Sequence, residues 1–189
     1  MYYGLSMYVG SLSGDLFINF TLVILVEIPA YTISAFASNK FGRKLILIIS
    51  FIAGGVACIT AGFLNEEYHN IILTLSIIGK FGITASFGAI YVYSGEIFPT
   101  EYRTTGVGVC SMHGRIGGIL APFIANLAQI YKPLPSLIFG VLSFIAGLLL
   151  FLLPETKGES LPQTIEDSEQ IGKNQSLWTF CMGCSDRKR

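Results

Sequence analysis

Five apolar stretches dominate the chain, at residues 16–38, 45–64, 71–97, 104–130 and 134–153. Each is long enough for an α-helix to cross roughly 30 Å of hydrocarbon, which takes about 20 residues at 1.5 Å apiece. Backbone N–H and C=O groups in lipid must be satisfied within the segment itself, so the expected fold is an all-α integral membrane protein. Charge supports this: 13% of residues are charged, about half the share of a water-soluble domain. A sixth stretch, 2–14, is shorter and more polar. It lacks a basic leading segment and a small-residue cleavage site, so it reads as the end of a longer helix and not as a signal peptide. On this reading the chain is a fragment.

The connecting segments orient the spans. Lys40, Arg43 and Lys44 follow the stretch 16–38, Arg103 follows 71–97, and Lys157, Lys173, Arg187, Lys188 and Arg189 follow 134–153. The alternate connections hold Glu66, Glu67 and a single basic residue, Lys132. The excess of Lys and Arg on the cytoplasmic side predicts that the basic connections and the C-terminal tail are cytoplasmic. The tail beyond Asp167 is polar, without apolar period, and is expected to be disordered.

Lys plus Arg and Asp plus Glu both total 12, so no basic excess points to nucleic acid. Cys58 and Cys110 fall inside spans, while Cys181 and Cys184 form a lone C-x-x-C in the tail; free thiols or reversible palmitoylation suit them better than zinc. No metal-ligand cluster, nucleophile–base pair or phosphate-binding loop stands out, so an enzyme, a cofactor and a metal are not expected. Asn19 and Asn174 lie in glycosylation sequons, but membrane and cytoplasmic placement predict that neither is used. Gly114 and Gly118, and the run Ala53, Ala57 and Ala61, are spaced for close packing of neighbouring helices.

Glu27, Lys80 and Arg115 are the charged residues inside spans, where each costs at least ~2.5–3.5 kcal/mol at mid-bilayer. At 100° per residue, Ser111, Pro122, Asn126 and Gln129 fall within about 40° of Arg115. Leu120, Ile124 and Leu127 take the opposite face, so Arg115 is expected to face protein or a water-filled cavity. Lys80 shares a face with Thr84, Phe87 and Tyr91, and Glu27 with Tyr31, Ser34 and Ser38. Aromatic faces beside a charge suit an amphipathic ion. An internal ion-pair network joining helices is the alternative. Pro29 and Pro122 interrupt backbone hydrogen bonding within spans, which carriers tolerate beside a cavity. His113 points away from the Arg115 stripe, and His69 sits in the acidic connection.

Short motifs then suggest a family. Asn39-Lys40-Phe41-Gly42-Arg43-Lys44 resembles the G-R-K/R signature of major facilitator superfamily halves, although the family's preceding acid is replaced by Asn39. Glu96-Ile97-Phe98-Pro99-Thr100 with Arg103 resembles the superfamily's E-x-[FY]-P-T-x-x-R segment, and Pro154-Glu155-Thr156-Lys157-Gly158 its closing P-E-T motif. Tyr2-Tyr3-Gly4-Leu5-Ser6, Val26-Glu27-Ile28-Pro29-Ala30, Gly79-Lys80-Phe81-Gly82 and Leu161-Pro162-Gln163-Thr164-Ile165-Glu166-Asp167 are similar to the organic cation, carnitine and organic anion transporters, especially insect members.

The resemblance, over roughly residues 2–167, implies the C-terminal six-helix half of a twelve-helix major facilitator fold. Residues 1–154 would be helices seven (truncated) to twelve, and 155–189 a cytoplasmic tail. It implies a multi-pass plasma-membrane carrier of small organic ions working by alternating access with an N-terminal six-helix half. The implied substrate cavity holds Glu27, Tyr31, Lys80, Phe87, Tyr91, Ser111, Arg115 and Asn126. The implied cytoplasmic gating motifs hold Gly42, Arg43, Lys44, Glu96, Arg103 and Glu155. In the resembled family, arginine at the position of Arg115 accompanies organic-anion and carnitine carriers, and aspartate simple cation carriers. A sugar or polyol porter and a non-transporting membrane scaffold remain the alternatives.

Overall fold

Close helix contacts through glycine organise the molecule, a computed structural model that describes residues 1–11, 16–64, 68–131, 133–158 and 160–171. Among the described residues, seven α-helices run in chain order: α1 Tyr2–Ser11, α2 Leu16–Phe41, α3 Arg43–Phe63, α4 His69–Ile97, α5 Arg103–Asn126, α6 Leu134–Leu149 and α7 Ile165–Gln170. Short 3-10 turns extend α5 over Leu127–Gln129 and α6 over Leu150–Leu152. No strand occurs among the described residues. Helices α2 to α6 are each long and apolar enough to cross a membrane. Glu66, Glu67 and Lys132 of the two alternate connections lie outside the described residues, as do Cys181, Cys184, Asn174 and the basic end of the tail.

Helix α3 is central, with α4 on one side and α6 on the other. A Cβ on Gly82 would stand 2.7 Å from the carbonyl oxygen of Ser50, and one on Gly140 would stand 2.9 Å from the backbone nitrogen of Ile59. Those neighbours are backbone atoms and cannot rotate away, so only glycine permits these contacts. The expected small-residue sites are used differently. Ala57 and Ala61 are buried, but Gly114 has open space and Gly118 meets only the ring of Tyr3. Close packing therefore runs through α3, α4 and α6, while the α5 pair opens onto a cavity.

Two apolar clusters tie the bundle together. Leu5 and Tyr8 of α1 meet Val23, Cys58, Ile83 and Phe139 in one, and Leu47, Ile48, Ala89, Tyr93 and Leu150 form the other. Helix α2 lies against α4, anchored where the Ser34 hydroxyl donates to the Ala85 carbonyl at 2.8 Å. Helix α5 meets the others mainly through α1. Both α2 and α5 leave large apolar side chains uncovered, among them Phe17, Phe36, Ile119 and Phe123. Such exposure suits hydrocarbon as the surrounding solvent. Helices α2 and α5 continue through Pro29 and Pro122, and Asn19 is buried within α2, away from the loop setting a glycan needs.

Candidate functional site

A cavity of ≈ 420 Å³ opens between α1, α4 and α5, with Phe51 of α3 and Ala146 of α6 at its back. Its α4 wall is the stripe Ile83, Phe87, Ile90, Tyr91 and Ser94. Its α5 wall is Val107, Cys110, Ser111, Gly114, Arg115 and Gly118. Both stripes follow the three- and four-residue spacing of one helix face. Tyr2 and Tyr3 of α1 supply the third wall. Tyr3 meets Phe87 edge-on at 6.4 Å between ring centroids, and Phe87 meets Tyr91 edge-on at 5.2 Å. Among the described residues lining this space, Arg115 carries the one charged side chain. Aromatic walls and a single guanidinium make a container for an amphipathic anion: rings take the apolar body, and the planar fork matches a carboxylate.

Behind Tyr2 sits a polar cluster that does not line the cavity. Lys80 Nζ is 2.9 Å from Glu27 Oε1 and is fully buried. It donates to Ser6 Oγ at 2.7 Å and to the Tyr2 carbonyl at 3.3 Å. The Tyr2 hydroxyl donates to Glu27 Oε2 at 2.7 Å. Glu27 and Lys80 thus form the ion pair joining α2 to α4 that the sequence left open as the alternative to substrate contact. The pair relieves the cost of two lone charges in a span.

The structure places the remaining cavity candidates as follows. Phe87, Tyr91, Ser111 and Arg115 line the space; Tyr31 packs its ring over Gly88 outside it, and Asn126 is exposed farther along α5. Tyr2 and Tyr3 line it too, yet they entered the sequence reading only as part of a motif. Two adjacent tyrosines ahead of a short apolar run were the available signal.

A second polar site lies at the end of the bundle where α3 begins and α4 ends. Gly42, the one residue between α2 and α3, adopts φ 116°. No side chain of its own segment caps α3. Glu155, just after α6, does so instead: Oε1 accepts from the Arg43 N–H at 2.9 Å and Oε2 from the Lys44 N–H at 3.1 Å. Oε1 also accepts from the N–H groups of Thr156 and Lys157. A buried carboxylate at a helix N-terminus satisfies orphan donors and complements the positive end of the dipole. The Arg43 guanidinium reaches Glu96 at 2.9 Å, and Lys44 Nζ donates to the Phe151 carbonyl at 2.9 Å.

Four of the six motif residues, Arg43, Lys44, Glu96 and Glu155, therefore meet in one network, and Gly42 makes the turn that leads into it. Arg103, the first residue of α5, does not join it: its Nε and one terminal nitrogen are buried without a hydrogen-bond partner among the described residues. Thr156, whose hydroxyl donates to Glu96 Oε2 at 2.6 Å, is an added member. The segment after Glu155 continues along this end. The Pro162 carbonyl accepts from the Thr100 N–H at 3.0 Å, and Ser168 Oγ donates to the Ile97 carbonyl at 3.0 Å. Ser94 of the cavity wall stands two residues before Glu96, so cavity and network share the last turns of α4.

Known proteins resemble this chain along most of its length. Residues 4–185 match the model of the Major Facilitator Superfamily, and the chain belongs to that family of transporters. Within it, the chain is similar to the organic cation transporter protein of Drosophila melanogaster, 44% identical over 173 residues, covering 92% of this chain and 32% of the relative. It is 40% identical over 176 residues to solute carrier family 22 member 3 of Mus musculus, covering 93% of this chain and 32% of that protein. It is 40% identical over 168 residues to solute carrier family 22 member 13 of Homo sapiens, covering 89% and 30% respectively. The chain spans about a third of the length of these curated relatives.

Proposed function

We propose that this chain is the C-terminal six-helix half of a twelve-helix carrier that moves small organic ions across the plasma membrane by alternating access. Residues 1–154 supply helices seven to twelve, the first truncated, and 155–189 form a cytoplasmic tail. A companion six-helix half closes the cavity from the other side, and the two halves rock about a site near the midplane. The observation that carries the reading is the position of Arg115, the one charged side chain among the described cavity residues, opposite aromatic rings. A guanidinium stays ionised in essentially any protein environment and binds carboxylates through paired N–H donors. The preferred substrates are therefore anions or zwitterions that bear a carboxylate, although the first relative is named for organic cations.

Uptake of labelled compounds by cells expressing the intact carrier that contains this segment tests the reading. Saturable uptake of an aromatic carboxylate, competed by other carboxylates, is expected. Uptake restricted to quaternary ammonium ions that lack a carboxylate would overturn it.

A further inference from the structure

The cavity and the Glu27–Lys80 pair are separated by a single ring, that of Tyr2. Lys80 Nζ lies 3.4 Å from the centroid of that ring. Phe87 stacks on the same ring at 4.6 Å with the planes 14° apart. A stacked phenyl and an ammonium at those distances cannot share one face, because the nitrogen would overlap the phenyl carbons. Tyr2 therefore lies between them, with Lys80 beneath and Phe87 above. Its hydroxyl is held by Glu27 Oε2 at 2.7 Å, and a further edge contact to Tyr3 at 5.3 Å fixes the outer side. Tyr2 and Phe87 line the cavity, whereas Glu27 and Lys80 do not.

We infer that Tyr2 sets how many charges this half of the carrier shows to its substrate. The ring covers the ammonium and the hydroxyl engages the carboxylate, so Glu27 and Lys80 are withdrawn together as a neutral pair. Three contacts make the cover specific. The π face attracts the ammonium, the hydroxyl supplies a charge-assisted hydrogen bond, and the Phe87 stack holds the ring flat. With the pair covered, the described side chains of the cavity wall present one positive charge, that of Arg115. The ligand it takes is a monoanion with an apolar or aromatic body. A second carboxylate on the ligand meets no second cationic side chain among the described lining residues and loses its hydration without return. The inference rests on the carboxylate reading above and adds the charge number to it.

The test uses the intact carrier and competition against a labelled aromatic monocarboxylate. Unlabelled monocarboxylate and dicarboxylate of equal chain length are compared as inhibitors. Wild type favours the monocarboxylate. Tyr2→Ser uncovers Lys80 and removes the hydroxyl donor to Glu27, and the dicarboxylate's potency relative to the monocarboxylate rises by about fivefold, short of a full ionic contact because Glu27 still shares the ammonium. Tyr2→Phe keeps the ring over Lys80 and leaves the ratio within about twofold of wild type. Tyr2→Leu keeps bulk without a π face and moves the ratio in the same direction as Tyr2→Ser. It serves if the serine variant fails to reach the surface. A ratio unchanged in both Tyr2→Ser and Tyr2→Leu, while monocarboxylate uptake still depends on Arg115, overturns the inference and leaves the carboxylate reading standing. Uptake of permanent cations alone by wild type removes both.

Discussion

Arg43 holds Glu96 by two nitrogens on one oxygen: Nε lies 3.0 Å and a terminal nitrogen 2.9 Å from Oε1. The other carboxylate oxygen is thereby free to accept from Thr156. One ion pair and one hydroxyl join the start of α3, the end of α4 and the segment after α6. Both charged side chains are about a fifth exposed, so solvent screens part of the interaction. A double-mutant cycle on Arg43→Ala and Glu96→Ala, read by thermal unfolding of the solubilised carrier, should give a coupling of about 1–2 kcal/mol. Additive single effects would show that the pair contributes nothing beyond its separate parts.

Glu155 supplies an N-terminal cap for α3 from 112 residues away. Glu155→Ala strands the N–H groups of Arg43 and Lys44 in a buried setting, at a cost of about 2–3 kcal/mol. Glu155→Gln keeps one acceptor oxygen and should recover part of that. Unfolding midpoints for the three proteins are expected in the order wild type, glutamine, alanine, and equal midpoints for wild type and alanine would refute the cap.

Gly42 carries the chain between α2 and α3 in one residue at φ 116°. With ψ at 153° this backbone region is essentially closed to residues that carry a Cβ, so Gly42→Ala should destabilise by about 1–2 kcal/mol. The same test on Gly95, whose added Cβ meets nothing within 4 Å and whose φ is ordinary, should give a smaller change or a slight gain. Equal losses at both glycines would contradict the backbone argument.

Asp167 caps α7. Its carboxylate accepts from the N–H groups of Thr164 and Gln163, while the Thr164 hydroxyl accepts from the Asp167 N–H. Those donors, the Thr164 backbone first, hold its carboxyl below the usual aspartate range. A lowered folded-state pKa contributes stability above the unfolded value and loses it as pH falls through the folded value. Protection of the α7 amides, the exchange rate relative to the intrinsic rate at each pH, should hold from neutral pH to below about 4 and fall only under stronger acid. In Asp167→Asn protection should be low at every pH. Identical exchange profiles for the two proteins would remove the cap from the argument.

Much of the fold is legible in the sequence because lipid imposes a length rule that a linear pattern can satisfy. The stretch at 45–64 becomes α3 at Arg43–Phe63, and that at 71–97 becomes α4 at His69–Ile97. Ends drift where polar residues continue a helix past its apolar part, as α2 does to Phe41. The face of Arg115 is legible for the same reason: Ser111 lies one turn away and lines the same cavity. Depth along the helix is not. Asn126 shares the angle but stands ~16 Å farther along the axis, exposed and off the cavity lining. Angular period carries no information on how deep along the helix a cavity reaches. Likewise, nothing local to Glu155 tells that its carboxylate serves α3, and nothing local to Lys80 tells that Tyr2 covers it.

Arg115 is where the functional reading is most exposed to a single measurement. In the intact carrier, Arg115→Asp replaces the one charged side chain among the described cavity residues with one of opposite sign while α5 and its packing stay in place. Uptake of an aromatic carboxylate should fall by at least about 100-fold, since a favourable charge-assisted pair becomes a repulsive one. An organic cation of similar size should gain entry. Arg115→Gln, neutral and still able to donate, should fall between the two for the carboxylate. Surface expression measured alongside separates loss of transport from loss of protein. Carboxylate uptake that survives Arg115→Asp at wild-type rate and surface level would contradict the assignment of this cavity as the anion-reading site.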